Sequence, residues 1–394
     1  DTILDSSYFM HFYPWVYSII KLVTNILYVF QRGRLDRIQS NKPFAKEMFY
    51  SYFYFKEKYE DTEIIEFVSE NWRISRHFFY NFDQLMKKLR LPFYTNSIVS
   101  MENLKLIFKK THLILSTNRV ACSTLPMVLV SKLLFKKINV SFFVLGMFKN
   151  KPKYKILEPF RKFFIHLLIL STNNLIFLGE GEYQSALKDY GIYKKKFKLL
   201  PFAIDSKFWD CDTKYELRNK EYILFIGNDE NRNFQLVIDI AKKLPELKFV
   251  FLTNKILSKD IDSENIKVLN GAWHETKYDD EFIRKLYENA KITILPLNDS
   301  LQPSGQSVTL QSMSMGVPVV ITKTSGFWDF SSYIDNQNII FMKNNEIDEW
   351  VNKINHLNNN QNLLNEISIQ GEALIKNKFN LESYGDQLSK IINI

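Results

Sequence analysis

Two cysteines in 394 residues, Cys122 and Cys211, are too few for a disulfide scaffold or a cysteine-rich zinc site, and they fit a reducing compartment. No metal is expected. No G-x-G-x-x-G fingerprint occurs, so a dinucleotide cofactor has little support. The apolar stretch Tyr8 to Phe30 has no basic lead-in or small-residue cleavage site, so no targeting leader is expected. His11, Pro14 and Lys21 interrupt it, whereas a membrane span needs roughly 20 predominantly apolar residues. It reads as an aromatic-rich segment at a membrane interface or as a helix packed on the first domain, a span being the lesser reading. Helix-turn-helix, zinc-finger and RNA-recognition patterns are missing, which argues against nucleic acid as a partner. No repeat of solenoid length is present.

What is present is apolar bulk: 46% hydrophobic residues, with 33 Phe, 20 Tyr and 6 Trp, enough for two cores. The length predicts two domains. The net charge of +9 is unevenly spread. Residues 1–200 hold 31 Lys+Arg against 16 Asp+Glu, and residues 201–394 hold 21 against 27. The first half therefore faces something anionic, with a bilayer surface or an anionic glycan-lipid favoured.

Helix-like and strand-like runs alternate after Gln31-Arg32-Gly33-Arg34. In the first half the helices are expected over Phe44 to Tyr59, Phe79 to Leu89, Ser123 to Phe135 and Phe160 to Leu170. The strands are expected over 62–68, 112–116, 140–145 and 174–178. Pro201 to Lys220 carries little periodic pattern and reads as the boundary, giving domains 1–200 and 201–394. Beyond it, strands are expected at 222–226, 247–252, 266–269, 292–295 and 319–322, with helices over 234–244, 281–290 and 307–315. The fold class is α/β: two Rossmann-like doubly wound domains facing a cleft between the carboxyl ends of their strands.

Two loops carry the candidate chemistry. In Ile294 to Val320 a buried strand ends in a polar loop and a helix begins. There Ser304 serves as helix cap, Gly305 allows close approach of a ligand, and Gly316 with Pro318 stops the helix. Unpaired amides at such a helix start form a phosphate site. Ser307 and Gln311, four apart, project from one helical face. An ordinary capped helix has even standing on these residues alone. The second loop, Gly227-Asn228-Asp229-Glu230-Asn231-Arg232-Asn233, follows the first strand of the same half. Its arginine is either a fork for a diphosphate or a solvated surface side chain.

Gly305 to Val320 resembles the nucleotide-sugar-binding segment of group-1 (family-4-like) glycosyltransferases, whose two-domain fold is called GT-B. Gly227 to Asn233 is similar to that family's first C-terminal loop, and 176–182 and 200–205 to the segments before its hinge. The likeness runs from about 174 to 385. It implies an enzyme that moves a sugar from a nucleoside-diphosphate donor to a hydroxyl of a glycan or lipid-linked acceptor, retaining, without metal or cofactor. The final helix could pack back on the first domain. Arg232 is the implied diphosphate-stabilising catalytic residue. Gly227, Asn228, Asn233, Trp273, His274, Ser304, Gly305, Gln306, Ser307 and Gln311 complete the implied donor site. The family's two helix-motif carboxylates are replaced by Pro303 and Gln311, so a glutamate restored at 311 is expected to be tolerated. His77, His112 and His166 read as structural.

Lys149, Lys151, Lys153, Lys155, Arg161 and Lys162 lie among aromatic residues and form the expected membrane or acceptor face. The expected location is cytoplasmic, at the inner face of the cell membrane, in polysaccharide or glycolipid synthesis. Two alternatives stand beside it. One is a nucleotide-sugar epimerase or hydrolase, disfavoured by the poverty of acid/base residues around Gly305. The other is a non-enzymatic basic protein binding membrane or nucleic acid.

Overall fold

The computed structural model describes residues 24–67, 77–89, 91, 98–148, 152–211, 220–271 and 278–394. The chain forms two compact units. The first contains residues up to Leu35, Phe49–Ile176 and Leu388–Ile394; the second contains Asp36–Met48 and Phe177–Gln387. This division and the sequence boundary at 200 differ by the stretch 177–200. They also differ in the short segment 36–48, which groups with the second unit.

In the first unit β1 (Ile26–Phe30), β2 (Thr62–Glu66), β3 (His112–Leu115), β4 (Asn139–Val144) and β5 (Asn174–Phe177) lie side by side in the order β2-β1-β3-β4-β5. β1 corrects the reading of Tyr8 to Phe30 as one interfacial or helical segment. Its five residues are wholly buried and pair in parallel with β2 and β3, Ile26 opposite Thr62 and His112. A short apolar run covered on both faces has no periodicity that separates strand from helix. Residues 8–23 lie outside the described residues.

The expected helix over Phe44 to Tyr59 is also shorter. A 3-10 turn at Glu47–Phe49 is followed by left-handed backbone at Tyr50 (φ 48°) and Ser51 (φ 65°), and the helix occupies only Tyr52–Lys58. Two consecutive left-handed residues cannot sit inside a right-handed helix.

The second unit holds the short strand β6 (Phe197–Leu199) and a parallel sheet of β7 (Tyr222–Ile226), β8 (Phe249–Leu252), β9 (Ile266–Leu269), β10 (Ala290–Leu295), β11 (Val319–Thr322) and β12 (Ile340–Met342). Its order is β12-β11-β10-β7-β8-β9. From β7 the chain winds outward through β8 and β9, then returns to β10 on the other side and winds outward again. The switch point between β7 and β10 is where ligands bind in open parallel sheets. The amphipathic helix Phe234–Lys243 buries Val237 and Ile240 against Phe225, Phe251 and Ile294, with Trp350 in the same core. Burying each such side chain contributes roughly 1.5–3 kcal/mol. The loops at the switch point thus stand on a rigid platform.

Candidate functional site

The loop after β7 is built around Arg232. Its backbone N–H donates to Asp229 O at 3.2 Å, and the residue forms a bridge with Leu297 beyond β10, so both loops hold it. The side chain is only 4% exposed, which excludes the surface reading. A Cβ added to Gly227 would come within 2.2 Å of Arg232 Nε, and one on Gly305 within 3.1 Å of Nη1, so two glycines flank the guanidinium. Nη2 lies 3.5 Å from Asp229 Oδ2, whereas Nε and Nη1 are buried with no hydrogen-bond partner. Burial pulls its pKa down, opposed by Asp229 and Tyr287. Unanswered N–H groups of a buried cation are costly, and a bidentate anion would answer both.

Other predicted residues of the loops hold the loops themselves. Asn228 Oδ1 accepts from Thr253 Oγ1 at 3.0 Å and Asn254 N at 2.6 Å, while its Nδ2 donates to Gly271 O at 3.0 Å. Asn233 caps the following helix, accepting from Leu236 N at 3.1 Å. Ser304 is not the cap of the helix Gln306–Ser314. It accepts from Asn231 Nδ2 at 2.6 Å, and the cap position falls to Gly305, whose φ of 81° suits glycine. Gln306 is buried and donates to Leu178 O at 3.1 Å. No side chain caps the first amides of that helix, as a phosphate-binding helix start requires.

A cavity of about 350 Å³ opens at the switch point, and Gly227, Asn228, Arg232, Ser307 and Gln311 line it together. Residues the sequence reading missed line it too: Arg37, Ala45, Glu47, Trp209, Tyr278 and Asp280. Glu47 Oε1 accepts from Trp209 Nε1 at 2.8 Å and from Gln311 Nε2 at 2.9 Å. Tyr287 Oη donates to Gln311 Oε1 at 3.2 Å. Burial, with Asp280 adding to it, pushes the Glu47 carboxyl up to about 7 against the pull of those hydrogen bonds. Burial also raises the Tyr287 phenol, which Arg232 opposes. A carboxyl group, that of Glu47, therefore reaches Gln311 from 264 residues away in sequence, and Asp229 and Asp280 line the same cavity.

On the basic face, Lys153, Lys155 and Lys162 are exposed, with Tyr154, Ile156, Phe160 and Phe163 exposed beside them. Arg161 is a correction. It is buried, donates to both carboxylate oxygens of Glu158 at 2.7 and 3.0 Å, and reaches Met147 O at 3.4 Å. Lys149, Lys151, Trp273 and His274 lie outside the described residues. Among the described residues no cluster of three or more His, Cys, Asp or Glu is placed to hold a metal, and no helix is long and apolar enough to cross a membrane.

The family model described as Glycosyl transferases group 1 matches residues 220–360, which span both loops and the switch point. Those residues are a group 1 glycosyltransferase domain. Solved structures similar to the whole chain carry the same GT-B fold. The Anabaena protein HepE, in complex with UDP, superposes with a TM-score of 0.64 at 12% identity, covering 94% of this chain and 100% of its own. A glycosyltransferase from Rickettsia africae gives 0.62 at 12%, covering 94% and 98%. Sucrose-phosphate synthase from Thermosynechococcus elongatus gives 0.61 at 10%, with the same coverage. Among curated protein sequences none matches. The chain thus has the GT-B fold, and the stretch that matches the group 1 glycosyltransferase model holds Arg232 and Gln311 at one cavity, with Gly305 beside the guanidinium.

Proposed function

We propose that the enzyme binds a nucleoside-diphosphate sugar in the cavity between β7 and β10, with UDP as the first donor nucleotide to test, and transfers the sugar to an acceptor hydroxyl. The carrying observation is the buried Arg232, whose Nε and Nη1 lack partners beside an uncapped helix start. As the bond from the anomeric carbon to the diphosphate oxygen breaks, negative charge grows on the diphosphate. Arg232 and the amides at Gln306 and Ser307 stabilise that charge where it develops. The acceptor oxygen forms the new bond, and its proton passes to the departing phosphate oxygen on the same face, giving retention. This scheme calls on neither a metal nor a protein nucleophile. UDP complexes of HepE support the choice of nucleotide.

The acceptor in this reading is a glycan or lipid-linked hydroxyl, met at an anionic bilayer by Lys153, Lys155 and Lys162 with their exposed aromatic neighbours. Each basic residue near such a surface is worth about 1 kcal/mol. The test of the donor site is a thermal-shift comparison of UDP, GDP and the other nucleoside diphosphates. A ligand at about 100 times its dissociation constant adds roughly 2.7 kcal/mol. A structure with nucleotide seated only on the first unit refutes the assignment.

A further inference from the structure

The cavity wall contributed by Asp36–Met48 has no place in the loops that first pointed to the site. Four contacts within the second unit bind it there. Arg37 Nη1 donates to Asp280 Oδ2 at 2.5 Å, and the Ala45 N–H donates to the same oxygen at 2.9 Å. Lys42 Nζ pairs with Asp279 at 3.0 Å, and the Lys46 N–H donates to Asp205 Oδ2 at 3.2 Å. The segment ends on Glu47, 2% exposed, whose Oε2 is 3.4 Å from the Asp205 N–H. Every hydrogen-bonding neighbour of Glu47 is a donor: Trp209 Nε1, Gln311 Nε2 and the Asp205 amide.

Gln311 is half-buried and lines the cavity beside Ser307. Its amide could in principle present either polar end to Tyr287, because a phenol both donates and accepts. A carboxylate only accepts. In its ionised form, above about pH 7, Glu47 therefore decides that Nε2 turns toward segment 36–48 and Oε1 toward Tyr287. One N–H and one lone pair of the amide are then left for a ligand in a fixed arrangement.

We propose that Glu47 is a positioning residue of the donor site, forming with Gln311 an acceptor–donor pair that presents Gln311 in one orientation to the ribose hydroxyls of the nucleotide. This role rests on the nucleotide site proposed above. It also revises the expectation that a glutamate at 311 is tolerated. Gln311→Glu sets two carboxyl groups 2.9 Å apart under burial, where both cannot ionise. Combining Glu47→Gln with Gln311→Glu removes the like-charge pair and restores a donor–acceptor bond between the two positions, at the cost of one other bond, because Trp209 Nε1 and the side chain at 311 meet the same oxygen of Glu47. The amide NH2 at position 47 then donates to the carboxylate at position 311, which in turn accepts from Tyr287, while Trp209 Nε1 loses its acceptor and the amide oxygen faces the Asp205 N–H.

The test measures UDP affinity by titration calorimetry at pH 8, with melting temperature of the ligand-free protein, for wild type, Gln311→Glu, Glu47→Gln and the exchanged double variant. Gln311→Glu should weaken UDP about tenfold or more and melt lower. The double variant should bind UDP at least about threefold more tightly than Gln311→Glu and melt higher than it, short of wild type by the lost Trp209 bond. Binding of 2′,3′-dideoxy-UDP should change less than threefold across the series, because it lacks the hydroxyls that Gln311 meets. A double variant that binds UDP no better than Gln311→Glu overturns the role, even where melting recovers. So does equal loss of the dideoxy ligand. Wild type that binds no nucleoside diphosphate instead overturns the underlying site, and is distinguished from failure of the pair by that control alone.

Discussion

Gly227→Ala isolates the packing that holds the Arg232 guanidinium. The added methyl would stand 2.2 Å from Arg232 Nε and 3.1 Å from its Cδ and Cζ, well inside van der Waals contact. Gly227 is not among the positive-φ residues, so the backbone itself accepts alanine and the cost is steric. The guanidinium is buried, and its other flank is Gly305, so it can yield only by leaving its place. Overpacking of this kind costs about 1–3 kcal/mol. For a unit of this size each kcal/mol lowers the melting temperature by about 2–4 °C. Displacing the guanidinium also removes one or two charged hydrogen bonds to the nucleotide. At roughly 1.5–3 kcal/mol each, that weakens UDP by about ten- to ten-thousandfold. The decisive assay is a double-mutant cycle on melting temperature with Arg232→Ala. Once the clashing atoms are gone, Gly227→Ala should cost less than about 0.5 kcal/mol, leaving a coupling of about 1–3 kcal/mol. If the substitution costs the same in both backgrounds, the glycine is not there for the arginine.

Arg232→Ala should lower kcat/KM by about ten- to a thousandfold, chiefly in kcat, because the charge it meets develops as the glycosidic bond breaks; full activity at low and saturating donor alike would refute it. Glu47 gives a pH signature. Its carboxyl at about 7, against an ordinary 4.5, binds its proton more tightly in the folded state, so its contribution is complete below about pH 4.5 and is lost as pH rises through about 7. A difference of that size amounts to on the order of 3 kcal/mol. Denaturant titrations of Glu47→Gln should lack this decline, and parallel stability profiles for variant and wild type would count against it. Lys153, Lys155 and Lys162 changed together to Gln should reduce co-sedimentation with anionic vesicles at low salt. Arg161→Ala should instead lower the melting temperature through loss of its Glu158 pair, with vesicle binding unaltered.

The strands flanking the switch point were legible because each is a short apolar run ending in glycine, proline or a polar loop. Tyr222–Ile226 and Val319–Thr322 fall where those runs stand. Ile26–Phe30 was not, since only Thr24-Asn25 separate it from the apolar residues before and its five-residue apolar run carries no periodicity that distinguishes strand from helix. Arg232 was legible as a residue between a strand end and a helix start. Its burial was not, because that depends on Leu297, Gly305 and the depth of the loop after β10. Ser304 reads as a cap from its place before a helix, yet Asn231 takes its hydroxyl. Arg161 reads as part of a basic run, although its partner Glu158 lies three residues away on the same helix. Glu47 had no local signal at all. Only the folded second unit brings it beside Gln311.

The residues that close the switch-point cavity are not contiguous in the gene product. A fragment spanning 177–387 would carry β7, β10 and both loops, and it would contain the whole of 220–360, but Arg37, Ala45 and Glu47 would be missing from its cavity. This half of the enzyme is therefore not an exchangeable cassette. A recombinant that trades the first 176 residues for those of another glycosyltransferase also trades away part of the donor pocket. Recombination between such enzymes would keep a working site only where the incoming piece brings its own match for Trp209, Asp280 and Gln311. The first 48 residues and the switch-point cavity are thereby inherited together.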